Sequence, residues 1–141
     1  MDAKSRRALI KSLKDGRHHF HTILPAEAGL YYCKRIGIKI SKLFKVPKQV
    51  VLSPSEERLV AMILGNLPKL AKKAEEEWYG YHGDPSLPEE VATPHIWISR
   101  DLQQKRGPKF WTFIVNHRES PDYGWHLEFE GMKFLDVWAG G

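Results

Sequence analysis

The sequence predicts an α+β fold: an antiparallel β-sheet with one long kinked helix packed on one face and a short N-terminal helix. Three observations carry this. Four of the five tryptophans, Trp97, Trp111, Trp125 and Trp138, fall in the last third of the chain, inside short runs of β-branched and aromatic residues. Such residues fit a pleated, half-buried surface. Upstream, Leu59, Ile63, Leu67, Leu70, Ala74 and Trp78 recur at spacings of three and four, the stripe of an amphipathic helix. Finally, 141 residues with 42% hydrophobic and 28% charged content suit one globular domain, residues 1–141, with room for a real core.

In chain order, Ala3 to Lys14 reads as a short helix with an Ala8, Leu9 and Leu13 stripe, Asp2 as its N-cap and Asp15-Gly16 as its stop. Residues 30–52 read as strands rather than helix, because Ile36, Ile38 and Ile40 alternate with Gly37 and Lys39. The long helix opens at Ser53-Pro-Ser-Glu56, which supplies a serine cap, a proline in the first turn and a glutamate at the third position. Its stripe continues through Pro68, so one helix, kinked there and loosened by Gly65, is expected to about Tyr79. A Gly/Pro-rich connection, residues 80–90, leads to the sheet.

Within the sheet, His95–Ser99, Phe110–Asn116 and Trp125–Trp138 are the strand runs. The second is apolar on both faces apart from Thr112 and is expected to be central. The third is expected to be a hairpin turning at Glu130-Gly131, which sets Phe129 opposite Met132, Leu127 opposite Phe134, and Glu128 opposite Lys133 as an ion pair. Most of the tryptophans read as core. Trp97 or Trp138, each near a strand end, is the expected exposed exception.

No apolar run approaches the roughly 20 residues needed to span a bilayer, and the basic N-terminus is a poor secretory signal. One cysteine, Cys33, excludes an intramolecular disulfide and a cysteine-rich zinc cage, so a reducing, cytoplasmic setting is the expectation. The net charge of +5 conceals an asymmetry: residues 1–50 carry 12 Lys+Arg and 3 Asp+Glu, the rest 10 and 14. A basic N-terminal segment of about residues 1–17 is a candidate arm, and Lys4, Arg6, Arg7, Lys11, Lys14 and Arg17 are its candidate phosphate contacts.

Nucleotide-loop, nucleophile-elbow and zinc-protease motifs are all missing from the sequence. His19 and His21 sit two apart on an extended segment, the spacing that puts two imidazoles on one face for a metal. No neighbouring carboxylate or cysteine completes that set. His126 and Glu128 form a second such pair, with His117 nearby, from which an acid and a base could be drawn. Cys33 has basic neighbours but also suits a small buried site. The final Ala139-Gly140-Gly141 reads either as a modifier-like tail or as a frayed end. No catalytic residue, cofactor or catalytic metal is expected.

The segments Ile63–Glu75 and Gly124–Gly140 resemble small bacterial domains of the immunity-protein type. That resemblance covers about two-thirds of the chain by pattern. It implies an early strand pair, a long helix, a C-terminal antiparallel sheet and a non-enzymatic binding role, often toxin neutralisation. Many such proteins are acidic, whereas this chain is basic at its N-terminal end. The leading functional expectation is therefore a protein-interaction module. A nucleic-acid-binding accessory protein is second, and a histidine-based metal or acid-base enzyme third.

Overall fold

The computed structural model describes residues 3, 4, 7, 14–15, 19–23, 35–39, 52–82, 95–116 and 123–140. Among the described residues, the helices α1 (Pro54–Gly65), α2 (Leu67–His82) and α3 (Arg100–Arg106) accompany a sheet. Its strands are β1 (Lys14–Asp15), β2 (His19–Ile23), β3 (Arg35–Lys39), β4 (His95–Ser99), β5 (Phe110–Asn116), β6 (Gly124–Glu130) and β7 (Lys133–Gly140). Among the described residues they pair in sequence order, β1 through β7, and the core is carried by the five from β3 to β7. The α+β class expected from the sequence is the one observed.

Most pairings are antiparallel, but β3 and β4 run parallel, Ile36 beside Ile96 and Ile38 beside Ile98. This corrects the purely antiparallel expectation. A parallel pair needs a long crossover between its strands, and here that crossover contains α1 and α2. Ile36 and Ile38 are buried, as their alternation with Gly37 and Lys39 predicted.

The predicted capping box is present. Glu56 N–H donates to Ser53 Oγ (3.1 Å), and Ser53 N–H donates back to Glu56 Oε1 (2.8 Å). Glu56 does more than cap the helix. Its carboxylate is buried and receives two hydrogen bonds from the first residue of α3, Arg100 Nε (2.9 Å) and Nη2 (3.0 Å). A bidentate guanidinium–carboxylate pair fixes geometry as well as charge, so the start of α1 is locked to the end of β4.

The single kinked helix resolves into two. Asn66 leaves the helical region at φ −125° and closes α1, its N–H shared by the carbonyls of Met62 and Ile63 and its Nδ2 donating to Met62 O (2.8 Å). Pro68 has no N–H to continue the ladder back to Leu64, but it sits without cost in the first turn of a new helix. The apolar stripe survives the break: Leu59, Ile63, Leu67, Leu70, Ala74 and Trp78 are all buried. On the outer surface Lys73 donates to Glu77 (2.6 Å), and that bond raises the ammonium pKa above its ordinary value.

The stripe packs on one face of the sheet, against Ile36, Ile38, Ile96, Ile98, Trp111, Phe113, Val115, Trp125, Leu127 and Phe129. Trp78 meets Trp125 edge-on at 5.2 Å, and Trp111 stacks on its cross-strand neighbour Phe129 at 4.5 Å. Strand β5 lies between β4 and β6 and is buried along most of its length, the central position expected for it.

The terminal hairpin differs from its predicted register. Glu130 pairs with Lys133 and Phe129 with Phe134, so the turn residues are Gly131 and Met132. Gly131 takes φ +56°, its N–H donates to Lys109 O (2.9 Å), and its carbonyl accepts from Trp111 Nε1 (2.9 Å). Those bonds place the glycine first in the turn rather than second. A bulge then leaves Leu135 as an extra residue, and Glu128 pairs with Asp136 instead of Lys133. Beyond the bulge, Val137 and Ala139 pack with Phe134 against the core.

The segment α3 was not expected, although Ser99 caps it (Leu102 N–H to Ser99 Oγ, 3.3 Å) and Gly107 ends it at φ +103°. At the other end of the chain, Ala3, Lys4 and Arg7 are helical and exposed. Lys14 and Asp15 form β1, so the N-terminal helix does not extend to Lys14 as expected.

Leu67→Ala is expected to cost about 2–5 kcal/mol and Phe129→Ala about 3–5 kcal/mol, since both side chains are fully buried. Chemical denaturation showing losses under about 0.5 kcal/mol, typical of surface positions, would contradict the packing. Arg100→Ala leaves the Glu56 carboxylate buried without its charged partner and is expected to cost about 1–3 kcal/mol. A melting temperature unchanged by Arg100→Ala would show that this pair does not hold α1 to the sheet.

Candidate functional site

With α1 and α2 on one face, the other side of the sheet carries a different set of residues. Cross-strand pairing arranges part of it in rows: Phe110, Glu130 and Lys133; Thr112, Glu128 and Asp136; Ile114, His126 and Trp138. The centre of this surface is Trp138. Its indole stacks on His126 (3.9 Å between ring centres, 6° between planes), and its Nε1 donates to Glu128 Oε2 (3.3 Å). Gly140 makes room for it, since a Cβ there would come within 2.9 Å of Trp138 Cζ3. The indole is thus held on three sides and is still 39% exposed.

The row continues into α3. Arg106 reaches Glu128 Oε1 (3.4 Å) and lies over the Phe110 ring at 4.5 Å, a cation–π contact that covers that buried phenyl group. Gln103 supports the same corner, donating to the carbonyls of Pro108 (3.0 Å) and Phe110 (3.3 Å). Four of the six large exposed hydrophobic residues among the described ones, Tyr123, Met132, Leu135 and Trp138, belong to this hairpin or flank it. On outer strand β7, Val137 N–H donates to Asp136 Oδ1 (2.8 Å), so a backbone donor is already satisfied within the chain. That lowers the capacity of the strand edge to accept another strand.

Glu128 is where the expected and observed sites diverge most. It does not pair with Lys133. It holds Trp138 and Arg106, and His126 stacks under the indole, so both members of the proposed acid–base pair serve to position an aromatic ring. His117 lies outside the described residues. His19 and His21 occupy β2 two positions apart, their backbones beside Lys39 and Gly37. Among the described residues no three histidine, cysteine or carboxylate groups converge. Of the basic candidates, Lys4 and Arg7 are exposed, Lys14 is in β1, and Arg6, Lys11 and Arg17 lie outside the described residues, as does Cys33. Of the C-terminal Ala139-Gly140-Gly141, read as a modifier-like tail or a frayed end, Ala139 and Gly140 are in β7, paired with Trp125 and Gly124, and Gly141 lies outside the described residues.

Trp138 was anticipated as an exposed exception. Arg106 and Gly140 were not singled out as parts of its setting, because they reach it through α3 and the β6–β7 pairing rather than through a sequence motif. No described helix is long and apolar enough to cross a membrane. Compared with known protein families, characterised proteins and solved structures, the chain matches none.

Glu128→Ala is expected to cost about 1 kcal/mol, because Arg106 and Trp138 both lose a partner. Lys133→Ala should stay within about 0.5 kcal/mol, the range for an unengaged surface position. Equal losses for the two variants in denaturant titrations would restore the Glu128–Lys133 register and remove the anchored Trp138.

Proposed function

We propose that this chain is a non-enzymatic protein-interaction module, of the immunity-like kind, and that it meets its partner with the open sheet face around Trp138. The observation that carries this reading is an exposed indole fixed by Glu128, His126 and Gly140. Tryptophan and arginine are enriched among residues that dominate protein–protein binding energy. A side chain already held in place also loses little entropy when it is covered.

Charge decides between protein and nucleic acid at this face. The rows carry three carboxylates, Glu128, Glu130 and Asp136, against the cations Arg106 and Lys133. A phosphate backbone is poorly matched to that balance, whereas a partner surface bearing arginine or lysine suits both the carboxylates and the indole. The second reading, nucleic-acid binding, rests on a different region: the excess of basic residues in the first 50, of which Lys4 and Arg7 are exposed. A histidine-based enzyme is third, and the engagement of His126 and Glu128 with Trp138 argues against drawing its acid and base from them.

The test is affinity capture from the native host with mass spectrometry, using the wild-type chain and Trp138→Ala in parallel. A protein held by the wild type should be lost or weakened about 30-fold or more in the variant, the effect of a central contact worth about 2 kcal/mol or more. Partners retained equally by both chains would contradict the placement. Captured nucleic acid whose affinity falls steeply with salt, through counterion release, would favour the second reading.

A further inference from the structure

A cleft of about 430 Å³ lies on a different part of the molecule, between α1 and the tip of the terminal hairpin. Its floor is apolar, with Leu59 buried, Met62 half-buried and Met132 exposed. Its rim carries two cations, Arg58 on α1 and Lys109 on the turn before β5. Among the described residues neither cation has a carboxylate partner, in contrast to Arg100 and Arg106. The backbone beside them is fixed, since Gly131 bonds both Lys109 O and Trp111 Nε1. The side chains are adaptable. Methionine is flexible and polarisable, and recurs where a surface must fit apolar groups of varied shape.

We infer that this cleft is a second docking site, which takes a segment of a partner protein bearing an apolar side chain next to a carboxylate. The volume lies at the small end of the range for ligand clefts, about 300–1,000 Å³, and holds one or two side chains rather than a large cofactor. The apolar group enters between Met62 and Met132, over Leu59. The neighbouring carboxylate stays at the rim, which Arg58 and Lys109 line. Charge complementarity selects this occupant: a basic segment would meet two unneutralised cations, and an uncharged one would leave them unused. The site is independent of the open face, because its lining includes neither Trp138 nor any residue that anchors it.

The probes are short synthetic peptides with a central Leu, Met, Phe or Trp flanked by glutamates, and the same set flanked by lysines. Each is titrated into the full-length, isotope-labelled chain and followed by amide NMR. The glutamate set is expected to shift the resonances of Ser55, Arg58, Met62, Gly131 and Met132, and the lysine set to bind at least tenfold more weakly. The double variant Arg58→Glu, Lys109→Glu should weaken the glutamate peptides by about tenfold or more. Both positions are exposed, so its melting temperature should stay close to wild type. Trp138→Ala should leave peptide binding unchanged. The inference is overturned if no glutamate peptide saturates the chain up to about 1 mM, if both sets bind alike, or if the double variant binds as wild type. Peptide shifts centred on Trp138 and abolished by Trp138→Ala would sink this cleft while supporting the open face.

Discussion

The structure depends on one burial constraint: the apolar stripe from Leu59 to Trp78 and the apolar face of β3–β7 must cover each other. Neither survives alone in water, because each exposes a row of large side chains whose transfer from solvent is worth roughly 1.5–3 kcal/mol apiece. Trp78, Trp111, Phe113 and Phe129 fill the contact. The break at Asn66 does not weaken it, because α2 resumes the stripe at Leu67. The parallel alignment of β3 and β4 follows from the same constraint: the two helices occupy the connection between these strands and lie on one side of the sheet. Glu56 and Arg100 then set where that layer begins, tying the first turn of α1 to the end of β4.

Once one face is committed to the core, the other becomes the side on which chemistry can be displayed. Its exposed aromatic is positioned by unlike devices: stacking by His126, a carboxylate acceptor in Glu128, and the missing side chain at Gly140. None of these stabilises the fold as much as a core contact does. Their combined effect is orientation of a part-exposed indole, a side chain of the type enriched among residues that dominate binding energy at interfaces. The bulge at Leu135 links the two faces. It keeps Phe134 and Val137 on the core while turning Asp136 and Trp138 to the open side.

Much of the architecture was legible in the residues themselves. Ser53, Pro54 and Glu56 announce the start of α1, and the helical stripe, the burial of Ile36 and Ile38 and the central place of β5 follow from periodicity. The departures have local causes. Pro68 is compatible with both a kink and a restart, and the Asn66 hydrogen bonds that decide for a restart depend on backbone geometry. The hairpin register turned on Gly131, whose place in the turn is set by contacts with Lys109 and Trp111, distant in sequence. The helix α3 had a readable cap at Ser99 and stop at Gly107 but lacks a buried residue, so no stripe drew attention to it. The site was less legible than the fold. His126 and Glu128 stand out as a catalytic pattern by spacing, yet Trp138 is brought to them only by the β6–β7 pairing and its bulge, and Arg106 only by the placement of α3.

The proposed function rests on the open face around Trp138, rather than the outer surface of α2, being the main surface that a captured partner covers. Hydroxyl-radical footprinting of the chain alone and bound to its captured partner tests this directly, because it reads side-chain exposure residue by residue. Strong protection of Trp138 and Leu135 on β7 is expected, with Tyr81 on α2 as reactive in the complex as in the free chain. Protection of Tyr81 with Trp138 unchanged would contradict it.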